Sequence, residues 1–181
     1  MNSGAGAVGN ELLWDRTSLV RRFYDLLQLL PRLDFTAARE ELPENGLYVF
    51  FERGEMVEHR GVLVDRVVRV GTHREDDRFP AGIRLHFRGN RSASPFRRHI
   101  GGALLRRTRI GGLQDWIRQD GPAMQELEEM VSRELRAHFK FSCFPVDERN
   151  ARQSLEKGLI GLLANSPLAW SSPTWLGRDA A

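Results

Sequence analysis

Two segments in the first half of the chain have the residue composition of β-strands. Residues 46–52 read GLYVFFE, an aromatic and β-branched run, and residues 62–70 are rich in valine. A charged, turn-prone stretch at 53–60 separates the two segments. This order predicts two paired strands joined by a long connection. The rest of the chain must pack around this pair of strands.

Apolar residues recur at helical spacing elsewhere in the chain. The pattern predicts helices over about 10–30, 94–104, 121–139 and 149–165, and a short helix at 83–87 within a loop-like stretch. The second of these long helices begins with Ser94 as its N-cap, because Pro follows it in the first turn.

A third strand is predicted at 139–145, where Phe and Cys alternate with Lys and Ser before a closing Pro. The sequence therefore predicts an α/β (α+β) fold in which a small antiparallel sheet of about three strands is flanked by helices. We expect residues 42–176 to form the main domain. Residues 1–41 would supply a flexible tail and a docking helix, and residues 177–181 a short tail.

The charge of the chain is concentrated in one segment. Its 181 residues include 27 basic and 24 acidic side chains, and only Lys140 and Lys157 are lysines. Nine arginines lie between Arg84 and Arg118 with Asp115 as the only acid, so this segment carries +8 and the remainder −5 of a total of +3. Arginine suits bidentate contact with phosphate. The alternatives are a solvated helix face and a coding bias without function.

Several classes of protein are excluded by composition. A single cysteine, Cys143, excludes a disulfide framework and a multi-thiolate zinc site. No apolar run approaches the roughly 18 to 20 residues of a membrane helix. Residues 1–9 lack the features of a signal peptide, so we expect a soluble, cytoplasmic chain. The string GAGAVG at 4–9 matches a dinucleotide-binding pattern, but without a preceding strand we expect a flexible tail.

Glu156 has an unusual position in the last predicted helix. It shares a helical face with Leu159, Ile160 and Leu163, so its carboxylate emerges at or inside the apolar stripe. Such a carboxylate needs a partner. Two readings remain open: a functional carboxylate, or a boundary glutamate that pairs with Arg152 one turn earlier.

Four short motifs occur in a recognisable order. These are Gly46-Leu47-Tyr48 at the start of the first strand, Arg69-Val70-Gly71 at the end of the second, His86 in the basic segment, and residues 155–160, LEKGLI. Together they resemble the GIY-YIG nuclease superfamily, over about residues 42–175. The resemblance implies a small antiparallel sheet flanked by helices that carries the site on one face.

The resemblance also implies a chemistry, which is metal-assisted hydrolysis of a phosphodiester. Glu156 would bind a single Mg²⁺ or Mn²⁺ that keeps several of its waters. Tyr48 would hydrogen-bond or deprotonate the attacking water, and His86 would assist or orient Tyr48. An arginine would hold the scissile phosphate and help to neutralise the transition state.

Two positions depart from the pattern of the superfamily. Arg69 stands where the family usually has a tyrosine, and Gly82 stands where it has an arginine one turn before the histidine. Arg84 or Arg78 would then supply the missing guanidinium, while Arg69 itself is a candidate for phosphate contact. Adding Arg69 and Arg84 completes the candidate catalytic set, which is Tyr48, Arg69, Arg84, His86 and Glu156.

The leading hypothesis is a metal-dependent endonuclease acting on DNA. Arg88, Arg91, Arg97 and Arg98 would grip the phosphate backbone without reading sequence, and a homo-oligomer or a partner protein would supply targeting. One alternative is a catalytically degenerate member that binds nucleic acid or a protein partner without cleavage. The other is an α/β domain that holds a small anionic metabolite in a deep pocket.

Overall fold

The sheet has three antiparallel strands in the order β2-β1-β3. They are β1 (Gly46–His59), β2 (Val62–Thr72) and β3 (Phe139–Pro145). The first half of β1 pairs with a neighbour on both sides and is buried throughout. A strand buried on both faces reads as a continuous apolar run, which explains the unbroken GLYVFF segment.

The connection between the first two strands is a tight turn, and the predicted long connection is wrong. β1 continues to His59, and only Arg60 and Gly61 join it to β2. Both residues have positive φ, 52° and 81°, as a two-residue hairpin turn requires. The charged stretch is strand because Glu55 turns inward and pairs with the buried Arg66 of β2 at 2.7 Å.

Helices cover both faces of the sheet, as the predicted fold class requires. The structure is a computed structural model that describes residues 7–166, 172 and 175–177, with side chains from residue 16 onward. The helices are α1 (Ala7–Gln28), α2 (Phe79–Arg88), α3 (Pro95–Thr108), α4 (Leu113–Arg118), α5 (Met124–His138) and α6 (Arg149–Ala164). None of the helices in this part of the chain is long and apolar enough to cross a bilayer.

The helices differ from the sequence prediction in three places. The short helix at 83–87 begins earlier, at Phe79, with Pro80 in its first turn. The sequence pattern does not predict the short helix α4. This helix buries Trp116, whose indole N–H donates to the Arg98 carbonyl at 3.0 Å. The glycine-rich string at 4–9 lies outside the described residues up to position 6, and α1 begins within it, at Ala7.

The sheet separates two apolar cores. On one face Tyr48 and Phe50 pack with α2, α3 and α5, and Phe50 contacts Phe96 with ring centroids 4.7 Å apart. On the other face Leu47 and Val49 pack against α1 and α6. Among its described side chains, α1 buries Val20, Phe23, Tyr24 and Leu27, whereas Leu19 and Leu26 are about half exposed, although their helical spacing predicts that they face the core.

The C-terminal segment returns to the sheet where it is described. Leu176 is buried, and Trp175 lies under the Arg66 guanidinium at 4.7 Å from the ring centroid. The Pro and Trp residues of this segment give the expectation from sequence that it packs back on the domain, and the position of Trp175 agrees with it. The other residues of that expectation, Pro167, Trp170 and Pro173, lie outside the described residues.

Candidate active site

Tyr48 and His86 form the centre of a buried polar group. Tyr48 lies in the central strand β1 and His86 in the last turns of α2. The Tyr48 hydroxyl and the His86 Nε2 are 2.8 Å apart, and the His86 Nδ1 is 2.8 Å from the hydroxyl of Ser94. All three side chains are buried, so their hydrogen bonds determine how they are oriented.

Gly71 explains how the Tyr48 hydroxyl fits at the edge of the sheet. It lies directly opposite Tyr48 in the β1–β2 pair. A Cβ added to Gly71 would collide with the hydroxyl and ring of Tyr48. The glycine is therefore required for space, because the phenol lies across the backbone of the edge strand β2.

Arg69 lies two residues before Gly71 on the same face of β2 and is half-buried. Its guanidinium sits 5.1 Å above the Phe96 ring centroid. Its Nε is buried and has no hydrogen-bond partner among the described residues. The strand therefore brings a cation with an unsatisfied donor to the side of Tyr48.

Glu156 reaches the same region from α6, and the two readings of this residue can now be separated. Arg152 does not pair with it. Arg152 is buried and binds Asp76 at 2.5 Å and the carbonyls of Val146 and Asp147. Within the described part of the chain Glu156 makes no hydrogen bond or ion pair, yet its charge acts on Tyr48.

Asp76 also holds α6 in place. It lies in the loop that joins β2 to α2 and accepts from Arg149 at 3.0 Å as well as from Arg152. This loop is fixed on its other side by Asn45, which exchanges two 2.8 Å hydrogen bonds with Asp77. The loop therefore positions the helices that carry His86 and Glu156 relative to the strand that carries Tyr48.

The electrostatics keep both central groups neutral. Burial raises the pKa of Tyr48, against the charge and hydrogen bonding of Arg69, and the charge of Glu156 raises it further. Burial lowers the pKa of His86 to about 3, and the charges of Arg69 and Arg97 act in the same direction. His86 is therefore a neutral imidazole at physiological pH.

Arg84 is not brought to this cluster. It lies two residues before His86 in α2, which places it about 200° around the helix. Its side chain is exposed and lines a separate groove with Phe35 and Leu42. The other sequence candidate, Arg78, is exposed and pairs with Glu75 at 3.4 Å. The guanidinium next to Tyr48 is that of Arg69.

Two of the four expected phosphate contacts are instead part of the core. Arg97 is fully buried and donates to Glu128 at 2.6 Å, to Ser132 at 3.0 Å and to the His86 carbonyl at 3.2 Å. Arg91 is also buried, with its guanidinium 5.4 Å from the Trp116 ring centroid. Buried side chains cannot contact a phosphate backbone, so neither arginine can serve in the predicted way.

The other two arginines are exposed but lie in different places. Arg88 lines an open groove with Gln125, Glu129 and Arg136. Arg98 precedes His99 in α3, and burial together with the charges of Arg69 and Arg98 lowers the pKa of His99. Arg98 is therefore the exposed member of the four on the helix whose Phe96 contacts Arg69.

Sequence reasoning missed two contributors to the site. The sequence indicates Ser94 only as the N-cap of α3. Its contact with His86 joins residues eight positions apart across a loop, and no periodic pattern indicates such a contact. His99 had no assigned role, although it lies near Arg69. An isolated histidine on a basic helix face carries no signal that separates it from a solvated residue.

The donor groups present fit one type of cation. No cluster of three or more His, Cys, Asp or Glu side chains exists among the described residues. A single unpaired carboxylate, Glu156, stands beside Tyr48. That arrangement excludes a closed zinc cage at this position and suits Mg²⁺ or Mn²⁺, since Mg²⁺ usually binds through one or two carboxylates and keeps several waters.

Comparison with known proteins gives one match. A sequence model of the GIY-YIG domain matches residues 14–181. Searches of curated proteins and of solved structures found no match. The match spans most of the chain and includes every residue of the Tyr48 cluster, which we define as Tyr48, Arg69, His86 and Glu156. The chain therefore belongs to the GIY-YIG domain family, which relates it to nucleases.

Proposed function

We propose that this protein is a metal-dependent endonuclease that hydrolyses phosphodiester bonds of DNA. One observation carries the proposal: four separate elements, β1, β2, α2 and α6, bring Tyr48, Arg69, His86 and an unpaired Glu156 together. The family relationship implies a nucleic-acid substrate and a divalent metal. DNA and cleavage by this particular chain are the proposed steps.

Each member of the cluster has a role that its surroundings support. Tyr48 positions and activates the attacking water, because its hydroxyl is held by His86 at a point next to a cation. Arg69 contacts the scissile phosphate and stabilises the charge that develops on it, since its side chain is only half-buried and has no carboxylate partner among the described residues. His86 stays neutral and holds the phenol.

Glu156 would hold the metal, Mg²⁺ or Mn²⁺. Bound there, the ion would neutralise developing charge and activate or orient oxygen ligands. The protein's own contribution is a carboxylate that Arg152 leaves unpaired, because Asp76 occupies Arg152 instead.

Nucleic-acid binding would use exposed cations near the cluster. Arg98 is exposed, and its guanidinium has no hydrogen-bond or ion-pair partner among the described residues. Phosphate contacts of this kind are independent of sequence and weaken steeply with salt. We therefore expect salt-sensitive binding to DNA without sequence preference.

A second candidate is a catalytically degenerate member that binds nucleic acid or a protein without cutting. Two observations favour it. Arg69 occupies the place of the family's second tyrosine. Burial also raises the pKa of Tyr48, so less of its phenol is ionised and able to accept a proton from water.

Cleavage of supercoiled plasmid with Mg²⁺ or Mn²⁺ tests the two candidates. The wild-type protein should nick the plasmid, and Glu156→Ala and Tyr48→Phe should each lose at least about a hundredfold in rate. Tyr24→Phe is a matched control, because Tyr24 is the other tyrosine and its hydroxyl accepts from Val67 N on the opposite core. It should cut normally.

The outcomes separate the candidates. Equal nicking by the wild type and Glu156→Ala would identify a contaminant and refute the endonuclease. Absence of cleavage in every sample, with salt-sensitive DNA binding retained, would favour the degenerate member.

A further inference from the structure

His86 is bound at both ring nitrogens, and its two partners are hydroxyls. Nδ1 is 2.8 Å from the Ser94 hydroxyl and Nε2 is 2.8 Å from the Tyr48 hydroxyl. A neutral imidazole has one N–H and one lone pair. The distances alone therefore leave two arrangements, in which His86 either accepts from Tyr48 or donates to it.

The surroundings of Ser94 decide between these arrangements. Its hydroxyl is fully buried and already accepts from the backbone N–H of Arg97 at 3.1 Å, as the N-cap of α3. Its own proton needs an acceptor, and within the described part of the chain the only one in reach is the His86 Nδ1. A buried O–H without an acceptor is costly, and the Ser94 proton has no other acceptor among the described residues. The Tyr48 proton can instead turn toward Glu156, whose charge acts on Tyr48, so the Ser94 proton goes to Nδ1.

The rest of the network follows from that hydrogen bond. If Nδ1 accepts, the single proton of the neutral ring is on Nε2, which then donates to the Tyr48 oxygen. Burial and the nearby arginines keep the pKa of His86 at about 3, so a second ring proton is absent at neutral pH. The Tyr48 oxygen is then surrounded by two donors, His86 and Arg69.

We propose that Ser94 is a positioning residue that fixes the Nε2–H tautomer of His86, and that His86 thereby donates a hydrogen bond to Tyr48. Donors around a phenol oxygen favour its negatively charged form and turn its own proton away from His86, toward the side of Glu156, whose charge acts on Tyr48. The catalytic part of this inference rests on the proposed function. The tautomer itself does not.

The tautomer can be measured in the metal-free protein. Nitrogen-15 and carbon-13 NMR distinguishes Nε2–H from Nδ1–H imidazoles, and His86→Gln assigns the signal among the five histidines. The wild type should show the Nε2–H form at pH 7. An Nδ1–H form would overturn the proposal.

Variants of Ser94 separate the tautomer from the helix cap. Ser94→Thr keeps the hydroxyl and the cap, so it should keep the Nε2–H signal and the cleavage rate. Ser94→Gly removes the hydroxyl and costs the cap only a few tenths of a kcal/mol. It should give a mixed tautomer signal and cut roughly tenfold more slowly, the factor expected for one lost buried hydrogen bond.

Each remaining result has a defined meaning. If Ser94→Gly folds and changes neither the tautomer signal nor the rate, Ser94 does not position His86 and the inference fails. A wild-type protein with the Nε2–H form that cuts no DNA would count against the proposed function alone. Failure of Ser94→Gly to fold leaves the wild-type tautomer and Ser94→Thr as the decisive measurements.

Discussion

Arg97 and Arg98 are consecutive residues of α3, and their guanidinium groups have opposite surroundings. Arg97 points inward to Glu128, Ser132 and the His86 carbonyl, a set that we call the Arg97 network. Arg98 is exposed to solvent, and its charge acts with that of Arg69 on the pKa of His99. The Arg97 network contacts the backbone carbonyl of His86, and the Tyr48 cluster includes the His86 ring.

The two networks differ in how far their charges are satisfied. Arg97 is fully buried and makes four hydrogen bonds from its guanidinium, three of them from one nitrogen. The Nε atoms of Arg97 and Arg69 both lack a partner among the described residues, but Arg97 pairs with Glu128, whereas neither Arg69 nor Glu156 has an ion pair there. Satisfied buried charges stabilise the fold, whereas unsatisfied charges at an open edge are available to a ligand.

The largest effect should come from breaking the Arg97 network. We expect Arg97→Met to lower the free energy of unfolding by about 3 to 5 kcal/mol, because it leaves Glu128 partly buried without its partner. Urea denaturation measures the loss. The double variant Arg97→Met/Glu128→Leu should recover most of it, and a double variant as unstable as the single one would contradict a role for the ion pair.

This contrast shows what the sequence could and could not predict. Strand composition and helical period predicted the sheet and the main helices, because burial on a known face leaves a local pattern. The direction of a single arginine on a helix does not. Arg91 and Arg97 belong to the same basic segment as Arg98, and only the tertiary position of Glu128 and Trp116 decides which of them are buried.

The same limit applies within the site. The ordered motifs indicate Tyr48, His86 and Glu156, but the sequence leaves Arg84, Arg78 and Arg69 open as sources of the guanidinium. Arg69 lies beside Tyr48 because strand alternation puts residues 69 and 71 on one face, and Gly71 leaves room for the phenol over the backbone of β2. That juxtaposition depends on the register of β1 and β2.

The second prediction disturbs the Tyr48 cluster without changing any charge. In Gly71→Ala the new Cβ would collide with the Tyr48 ring and hydroxyl, so the phenol must move. We expect a loss of about 1 to 3 kcal/mol in unfolding free energy, as in other overpacked sites, together with strongly reduced cleavage. Gly102→Ala is the control, because nothing lies within 4 Å of its Cβ position. Normal activity of Gly71→Ala would contradict the close approach.

Glu52 is a buried carboxyl outside both the Arg97 network and the Tyr48 cluster. It tests whether an unpaired buried group always marks a ligand site. Its carboxyl is buried, its Oε2 has no partner among the described residues, and its Oε1 accepts only from Leu176 N at 3.3 Å. Yet it belongs to no candidate site. Burial raises its pKa to about 7, so it takes up a proton in the folded protein where an ordinary glutamate is fully ionised, and this explains an unpartnered carboxyl without a ligand.

The pH dependence of stability tests this explanation. A carboxyl whose pKa is raised on folding favours the folded protein in its protonated form. Its contribution to the free energy of unfolding is fully present below the unfolded pKa of 4.5 and is lost as the pH rises through the folded pKa of about 7. Glu52→Gln should therefore match the wild type at pH 4 and exceed it by about 1 to 2 kcal/mol at pH 8. His86 contributes equally to both proteins and cancels. An equal difference at both pH values would show that Glu52 stays ionised.

The smallest effect belongs to Arg98, and it completes the comparison with Arg97. Arg98→Met removes an exposed charge, so the free energy of unfolding should change by less than about 0.5 kcal/mol. DNA binding should weaken by about 0.5 to 1 kcal/mol, and the slope of log affinity against log salt should fall by about one unit, because one phosphate contact is lost. Arg88→Met, on the groove lined by Gln125 and Glu129, should leave that slope unchanged. If Arg88→Met lowers the slope and Arg98→Met does not, DNA lies on the α5 side of the molecule, and the Tyr48 cluster does not face it.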